Sequence, residues 1–279
     1  MKRILTIQDI SCVGKCSLTV ALPIISAMGV EAAVLPTAVL STHTAFKEGF
    51  TFRDLTDDIT DITAHWKRES ITFDALYTGY LGSFEQLRLM SELFDNFGAE
   101  DTLIFVDPVM GDYGKLYPGF TPEFAQAMAA LCGKADIIVP NMTEAAYMLG
   151  VPYVGAGYDR AYVQDILRQL AALGAKHVVL TGVTFEDRTV GVMAYDSVSD
   201  SFFEYYNERV NASYHGTGDI FASTCVGALM NEKSLQEALC IAADYTAECI
   251  RQTEAEKPHN WYGVNFETAI PYLLDHLNT

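Results

Sequence analysis

The chain has 279 residues, half of them apolar, and a formal net charge of −18 at pH 7. A chain of this length and composition can bury a substantial core, so we expect one folded domain that spans residues 1–279. The negative charge argues against nucleic acid or an anionic membrane as a partner, because clustered Lys and Arg side chains bind phosphates at such surfaces.

The start of the chain and its cysteines predict a cytoplasmic protein. The apolar run after the basic start is cut short at Gln8 and Asp9, so we expect no signal peptide. The apolar run at 18–30 contains Pro23 and is too short to span a bilayer. The six cysteines include no CxxC pair and no zinc-type quartet, so we expect reduced thiols.

Strand and helix patterns alternate along the first two thirds of the chain. Apolar periodicity predicts strands at 3–8, 32–40, 73–78, 102–106, 136–139 and 177–180. It predicts helices at 17–28, 52–68, 84–97, 122–131, 143–149 and 160–173. This alternation indicates an α/β fold with a doubly wound, mostly parallel central sheet and helices on both faces. Ligands of such folds bind at the carboxyl ends of the strands.

The last third of the chain departs from this alternation. Two runs at 190–195 and 202–206 predict a β-hairpin late in the chain. Helices are expected at 220–230, 235–251 and 266–276. No repeat, low-complexity segment or linker marks a second domain.

A glycine-rich loop stands before the predicted helix 220–230: His215 is followed by Gly-Thr-Gly-Asp. The amides of Gly216, Thr217 and Gly218 are expected to converge on an anion, because glycine permits close approach and a helix N-terminus presents unpaired N–H groups. The carboxylate of Asp219 would repel an anion that was merely bound, but it suits a base that takes a proton from an attacking hydroxyl. The alternative is that Asp219 only caps the helix.

Further polar residues follow two predicted strands. Asp107 is expected to reach a Mg²⁺ ion or a water in its shell; the alternative is that it starts a turn with the following proline. Asn141 and Glu144 either form a helix capping box or help to hold Mg²⁺, and the sequence leaves these two alternatives even. The loop 112–119, which contains glycine and tyrosine, is a candidate lid.

Familiar phosphate-binding signatures are absent from the sequence. The run that begins at Gly14 resembles the end of a P-loop, but Asp9 stands where the first glycine belongs. Phe221 stands where a dinucleotide fingerprint needs its third glycine. His43 has no visible metal-ligand partner, and we expect it to be an ordinary residue.

Six motifs spread over nearly the whole chain form a set in characteristic order. They are Ile7-Gln8, Ser41-Thr42-His43-Thr44, Thr78-Gly79-Tyr80, residues 107–112, Pro140-Asn141-x-x-Glu144 and Gly216-Thr217-Gly218-Asp219. Together they resemble those of vitamin B6 kinases, the pyridoxal kinase branch of the ribokinase-like superfamily. The resemblance implies ATP-dependent phosphorylation of the 5′-hydroxymethyl group of pyridoxamine, pyridoxal or pyridoxine.

The resemblance also implies roles for individual residues. Asp219 is expected to deprotonate the hydroxymethyl group, and the amides of 216–218 to form an anion hole for the γ-phosphoryl group. The expected metal-binding residues are Asp107, Asn141 and Glu144; the ATP-binding residues Asp112, Glu144 and Thr181; and the substrate-binding residues Asp9, Thr37 and Tyr80. Mg²⁺ is expected with ATP, a monovalent cation such as K⁺ often assists such enzymes, and the family is usually homodimeric.

One position departs from the family pattern. B6 kinases commonly carry serine where this chain has Asp9. A carboxylate there pairs with an ammonium group or accepts from a phenolic hydroxyl, so our hypothesis is a preference for pyridoxamine over pyridoxal. Asp9→Ser should then weaken pyridoxamine use more than pyridoxal use. The alternative is that Asp9 faces elsewhere and only starts the following loop.

Two rival functions stay open. Hydroxymethylpyrimidine kinases of thiamine synthesis share much of the pattern, although they often carry cysteine where this chain has Asp219. The other rival is a non-catalytic vitamin- or nucleotide-binding regulator. A base is not required for binding alone, so the presence of Asp219 argues against a regulator, and ATP turnover separates the two.

Overall fold

The structure is a computed structural model that describes residues 1–46 and 49–278. Its strands are β1 Arg3–Ser11, β2 Glu31–Leu40, β3 Phe52–Asp54, β4 Ala75–Thr78, β5 Leu103–Val106, β6 Gly111–Asp112, β7 Lys115–Leu116, β8 Ile137–Ile138, β9 His177–Val183, β10 Thr189–Asp196 and β11 Ser201–Glu208. Its helices are α1 Leu18–Ala27, α2 Thr56–Arg68, α3 Phe84–Phe97, α4 Pro122–Cys132, α5 Met142–Leu149, α6 Arg160–Ala171, α7 Thr217–Met230, α8 Leu235–Ala255 and α9 Phe266–Leu277.

The chain groups into two compact units. Unit one comprises Met1–Ala75 and Asn207–Thr279, and unit two comprises Leu76–Tyr206. In unit one, β1 pairs in parallel with β2, which pairs antiparallel with the short strand β3. Helix α7 packs against both α1 and α8, and α8 also packs against α9. The core includes Ile4, Leu5 and Ile7 of β1, which have no exposed surface.

Unit two contains the longer run of neighbouring strands, in the order β11-β10-β9-β8-β5-β4. Strands β5, β8 and β9 are parallel, whereas β10 runs antiparallel to β9. The chain therefore leaves β5 and β8 at the same edge, where Asp107 and Asn141 follow. The expected α/β fold with a mostly parallel sheet is confirmed, and β10 and β11 lie side by side as the two strands of the expected late hairpin.

Helix α3 has the predicted bounds because both ends carry local signals. The Ser83 hydroxyl accepts the N–H of Gln86 at 3.1 Å, which caps the first turn. Gly98 ends the helix in an extended conformation. Local signals therefore account for both bounds of this helix.

Several predicted bounds are wrong, and long-range contacts account for most of the differences. The predicted helix 52–68 begins only at Thr56, because 52–54 pair with β2 as a strand. Strand β1 continues past Gln8 to Ser11, and β9 continues to Val183. Helix α8 extends to Ala255, and α7 begins three residues before the predicted start.

Two further findings concern the membrane and the cysteines. Among the described residues, no helix is both long enough and apolar enough to cross a bilayer. All six cysteines lie in the described part of the chain and are free thiols.

Candidate active site

Helix α7 of unit one begins with an uncapped first turn. Gly216 is its N-cap residue, in the left-handed region with φ 81°. A Cβ atom at Gly216 would lie 2.1 Å from the backbone oxygen of Lys15, so only glycine fits there. Within the described residues no side chain caps this helix, which leaves the first-turn amides without an intrahelical acceptor. The alternative in which Asp219 serves only as a cap is wrong.

Asp219 is the third residue of α7, and its carboxylate is half-buried. Burial is the main cause that raises the pKa of Asp219 to about 7; the N–H bond from Ser17 opposes this shift, and the nearby carboxylate of Asp9 contributes to it. A carboxyl group with such a pKa accepts and releases a proton near neutral pH.

Asp9 lies at an irregularity in the pairing of β1 with β2. Gln8 pairs with Pro36 and Ile10 pairs with Val39, so two residues of β2 stand opposite the single Asp9. One of these two is the fully buried Thr37. Such a bulge redirects side chains, and proline, which has no N–H to donate, is compatible with it. The structure thus brings two predicted substrate-binding residues together at one bulge.

The Asp9 carboxylate is buried and held by hydroxyl groups. The Ser11 hydroxyl donates to Asp9 Oδ2 at 2.9 Å, and the Ser17 hydroxyl donates to the same carboxylate. Burial raises the pKa of Asp9 despite these bonds. Because Asp9 lies inside β1 and within the electrostatic reach of Asp219, the alternative in which it only starts the following loop is wrong.

His43 joins several segments of unit one around the glycine-rich loop. Its Nδ1 accepts the N–H of Ala45 at 3.1 Å, so Nε2 carries the hydrogen and donates to the Tyr262 oxygen at 3.0 Å. Its ring lies 5.0 Å from that of His215 and packs on Gly14. Burial lowers the pKa of His43, which keeps the ring neutral. The sequence offered no signal for this role, because the partners are distant along the chain.

In unit two, helix α5 begins with a capping box. Asn141 Oδ1 accepts the N–H groups of Thr143 at 2.8 Å and Glu144 at 3.0 Å, while Glu144 Oε2 accepts the N–H of Asn141 at 2.9 Å. The capping box, one of the two alternatives for these residues, is therefore present, and the metal role stays a prediction. The other carboxylate oxygen of Glu144 accepts the N–H of Met110 at 3.1 Å, so this helix start also holds the loop after β5.

The candidate lid contains the small hairpin of β6 and β7. Its tip carries Tyr113 and Gly114, both with left-handed φ, and the Tyr113 side chain is 69% exposed. Asn141 Nδ2 donates to the Gly111 oxygen at 2.8 Å, and the Gly114 N–H donates to the Thr143 hydroxyl at 2.9 Å. The hairpin is thus fastened to the start of α5 at Gly111 and again at Gly114, while the Tyr113 side chain projects into solvent.

The remaining two predicted residues of unit two also have defined surroundings. Thr181 bridges to Asn141, and its N–H donates to the Pro140 oxygen at 2.9 Å. Thr181 therefore lies inside β9 and beside the start of α5, rather than after the strand. Tyr80 packs against Phe120, with ring centroids 5.5 Å apart.

The acids of unit two are compatible with a magnesium nucleotide. Burial raises the pKa of Glu144, and the charge of Asp112 adds to this effect. Asp107 is buried, and its negative charge and that of Glu144 both raise the pKa of the Cys132 thiol. In the chain outside 47–48 and 279, no three His, Cys, Asp or Glu side chains could hold a metal ion together. The carboxylates of Asp107 and Glu144 are of the kind that Mg²⁺ takes, one or two at a time, while phosphates and water complete its shell.

The predicted residues thus fall into two groups. Unit one carries Asp9, Thr37, Gly216, Thr217, Gly218 and Asp219, and unit two carries Tyr80, Asp107, Asp112, Asn141, Glu144 and Thr181. The sequence interpretation missed Ser17, which contacts Asp9 and Asp219, and His43, whose ring lies beside that of His215.

Comparison with known proteins shows the family to which the chain is similar. A model of the phosphomethylpyrimidine kinase family matches residues 21–263. A Bacteroides thetaiotaomicron structure with pyridoxal, provisionally named a phosphomethylpyrimidine kinase, is 40% identical, with a TM-score of 0.92 over 98% of this chain and 95% of that one. Pyridoxal kinase from Lactobacillus plantarum is 32% identical, with a TM-score of 0.89 over 99% of this chain and 97% of that one.

A curated Staphylococcus aureus relative, provisionally named a pyridoxine kinase, is 30% identical over 188 residues. That match covers 65% of this chain and 64% of the relative's length. The structural matches, in contrast, extend over nearly the whole chain.

Proposed function

The chain belongs to the phosphomethylpyrimidine kinase family, within the ribokinase-like fold, and we propose that it phosphorylates a vitamin B6 vitamer. The reaction transfers the γ-phosphoryl group of ATP to the 5′-hydroxymethyl group of pyridoxamine, pyridoxal or pyridoxine. The family membership and the neighbours named for pyridoxal support this proposal.

The observation that carries the proposal is the position of Asp219. Its carboxylate lies in the first turn of a helix whose amides suit an anion, and its pKa is raised to about 7. Such a carboxylate takes the proton from the substrate hydroxyl as the oxygen attacks phosphorus. The amides of Gly216, Thr217 and Gly218 stabilise the charge that develops on the transferred group.

The other residues bind and orient the two substrates. On the vitamer side, we assign binding to Asp9, Thr37 and Tyr80. On the nucleotide side, we assign binding of ATP and its metal to Asp107, Asp112, Asn141, Glu144 and Thr181. Mg²⁺ bound with ATP would neutralise phosphate charge. When Mg²⁺ is not bound, the backbone N–H of Asn141 in the capping box keeps the Glu144 carboxylate oriented.

A second candidate is phosphorylation of hydroxymethylpyrimidine. The family takes its description from phosphomethylpyrimidine kinases, which keeps this substrate in consideration. The two substrates share the hydroxymethyl group, so Asp219 would perform the same step on either. They differ in ring substituents, which are the groups that Asp9 is proposed to recognise.

The decisive experiment measures ATP- and Mg²⁺-dependent phosphorylation of the three vitamers and of hydroxymethylpyrimidine. We expect the vitamers to react. Asp219→Asn should remove at least about 99% of the rate, because a general base accelerates such a reaction about 10²–10⁴-fold. If only the pyrimidine reacts, the substrate assignment is wrong. If nothing reacts although vitamers or ATP bind, the chain is a regulator.

Four further proposals concern the protein as a whole. We propose that 1–279 unfolds as a single domain, that the protein is a homodimer, that it acts in the cytoplasm, and that a monovalent cation such as K⁺ assists. Calorimetry, sedimentation, cell fractionation and replacement of K⁺ by tetramethylammonium test them in turn.

A further inference from the structure

Ser17 occupies the N-cap position of α1 but does not act as a cap. Serine at this position normally has extended backbone and accepts an N–H of the first turn. Here Ser17 has φ 52° and ψ −134°, and across the described residues its side chain makes no capping bond. The residue is also buried, with 7% of its surface exposed. It therefore carries backbone strain and gives up the usual benefit of an N-cap serine.

The polar groups of Ser17 contact two carboxylates instead. Its hydroxyl donates to Asp9, and its backbone N–H donates to Asp219. Both acids are close enough to Cys16, the residue before Ser17, that each raises the pKa of its thiol. One residue thus holds the proposed recognition acid with its side chain and the proposed base with its backbone.

Neighbouring contacts maintain this strained conformation. Gly14 and Lys15 also have positive φ values, of 151° and 47°. Lys15 Nζ donates to Asn265 at 2.8 Å and to Glu267 at 2.9 Å, which fastens the segment to the start of α9. Strained residues persist where the surroundings over-determine them, and they concentrate at functional sites.

We propose that Ser17 is a positioning residue of the vitamer site. Its hydroxyl turns the Asp9 carboxylate toward the substituents of the bound ring, while its N–H directs the Asp219 carboxylate toward the hydroxymethyl group. This inference rests on the proposed B6 kinase function. It assigns to Ser17 a role in vitamer binding and not in ATP binding.

The test separates the hydroxyl from the backbone N–H. Ser17→Ala removes only the hydroxyl, and we expect the KM for the preferred vitamer to rise about tenfold while the KM for ATP changes less than about twofold. In an Asp9→Asn background, Ser17→Ala should have little further effect, because its partner has already lost its charge. Ser17→Gly should raise the vitamer KM equally but give a higher Tm than Ser17→Ala, since glycine relieves the strain.

Ser234→Ala provides a matched control. Ser234 is the N-cap of α8 in the same unit, and its hydroxyl does accept the N–H of Glu237. Its replacement should lower Tm and leave both KM values unchanged.

Three outcomes would overturn the role of Ser17: an unchanged vitamer KM, an equal rise in the KM for ATP, or the same effect of Ser17→Ala with and without Asp9→Asn. If the wild-type protein phosphorylates no vitamer, the proposed function fails by itself. Calorimetric titration with pyridoxamine then applies the same comparison to Kd. Absence of any pyridoxamine binding would refute the Ser17 proposal too.

Discussion

At the scale of single residues, the carboxyl group of Asp219 links reactivity to stability. The folded protein favours the protonated form of this group, because burial and Asp9 raise its pKa to about 7. In the unfolded chain the same group titrates near its ordinary value of about 4. Ionisation of Asp219 therefore costs the folded state free energy at the pH where the base is needed.

We predict that Asp219→Asn abolishes phosphoryl transfer and stabilises the protein. Because the pKa of Asp219 is raised in the folded state, the free energy of unfolding of the wild-type protein falls as pH rises from about 4 to about 7. Above that pH the loss is constant. The free energy of unfolding of the variant should exceed that of wild type by about 2 kcal/mol at pH 8, allowing for partial solvent screening, and by much less at pH 5. Denaturant unfolding at the two pH values measures this difference.

The exposed Asp101, replaced by Asn, is the matched control and should change stability little at either pH. A stabilisation by Asp219→Asn that does not grow between pH 5 and 8 would contradict a raised pKa.

We also predict that two glycines of the same loop respond differently to alanine. Gly216→Ala should lower the free energy of unfolding by about 2–4 kcal/mol, because its φ is positive and its Cβ would meet the Lys15 oxygen. Gly218→Ala meets no described atom within 4 Å, so the protein should remain stable but bind anionic nucleotide poorly. Denaturant unfolding and ATP titration distinguish these effects.

Gly157→Ala controls for backbone conformation alone. Gly157 has φ 74°, and no described atom lies within 4 Å of a Cβ there. It should cost about 1–2 kcal/mol and leave activity intact. Equal losses of stability at Gly216 and Gly157 would show that the contact with Lys15 is unimportant.

At the scale of secondary-structure elements, the start of α5 connects helix capping with the candidate lid. Asn141 caps the helix through Oδ1 and fastens Gly111 through Nδ2. These functions use different atoms of one side chain. They can therefore be separated by substitution.

We predict that Asn141→Ala lowers the free energy of unfolding by about 1–2 kcal/mol and raises the KM for MgATP, because both the cap and the lid contact are lost. Asn141→Asp keeps the acceptor and loses the donor, so it should retain most of the stability while still raising this KM. Steady-state kinetics and denaturant unfolding give both quantities.

Asp159 caps α6 in the same unit and accepts the N–H of Tyr162 at 2.9 Å. Asp159→Ala should lose stability comparable to Asn141→Ala without any change in the KM for MgATP. If both variants raise that KM equally, the lid contact has no role of its own.

At the scale of the whole molecule, the net charge of −18 opposes the approach of an anionic nucleotide. Local amides and the metal ion must overcome this repulsion. The long-range part of the repulsion is screened by salt, whereas buried contacts are screened much less.

We predict that the association rate of MgATP rises as ionic strength increases from about 20 to 200 mM, because the Debye length falls across this range. The K⁺ concentration is held constant and tetramethylammonium chloride is varied, so that no cation requirement interferes. Stopped-flow binding measures the rate. Pyridoxine, which carries little net charge, should bind at a rate independent of salt, and a decrease for MgATP would show that a local positive field dominates.

The sequence alone was sufficient for features that depend on neighbours along the chain. Ser83 and Gly98 bound α3, Asn141 and Glu144 form a capping box three residues apart, and the glycines at 216 and 218 precede a helix. Alternation of apolar strands with helices indicated the α/β fold for a similar reason. A parallel sheet that is buried on both faces needs continuous apolar strands, and helices connect them along the chain.

Features that join distant segments required the tertiary structure. The bulge that places Asp9 opposite Thr37 depends on the register of two strands, and the contact of Ser17 with Asp219 joins segments about 200 residues apart. The pKa of Asp219 depends on burial, which no local pattern encodes. These contacts form only when the core packs and brings the segments together. The strained backbone of Ser17 is held by that surrounding structure, so no local sequence pattern predicts it.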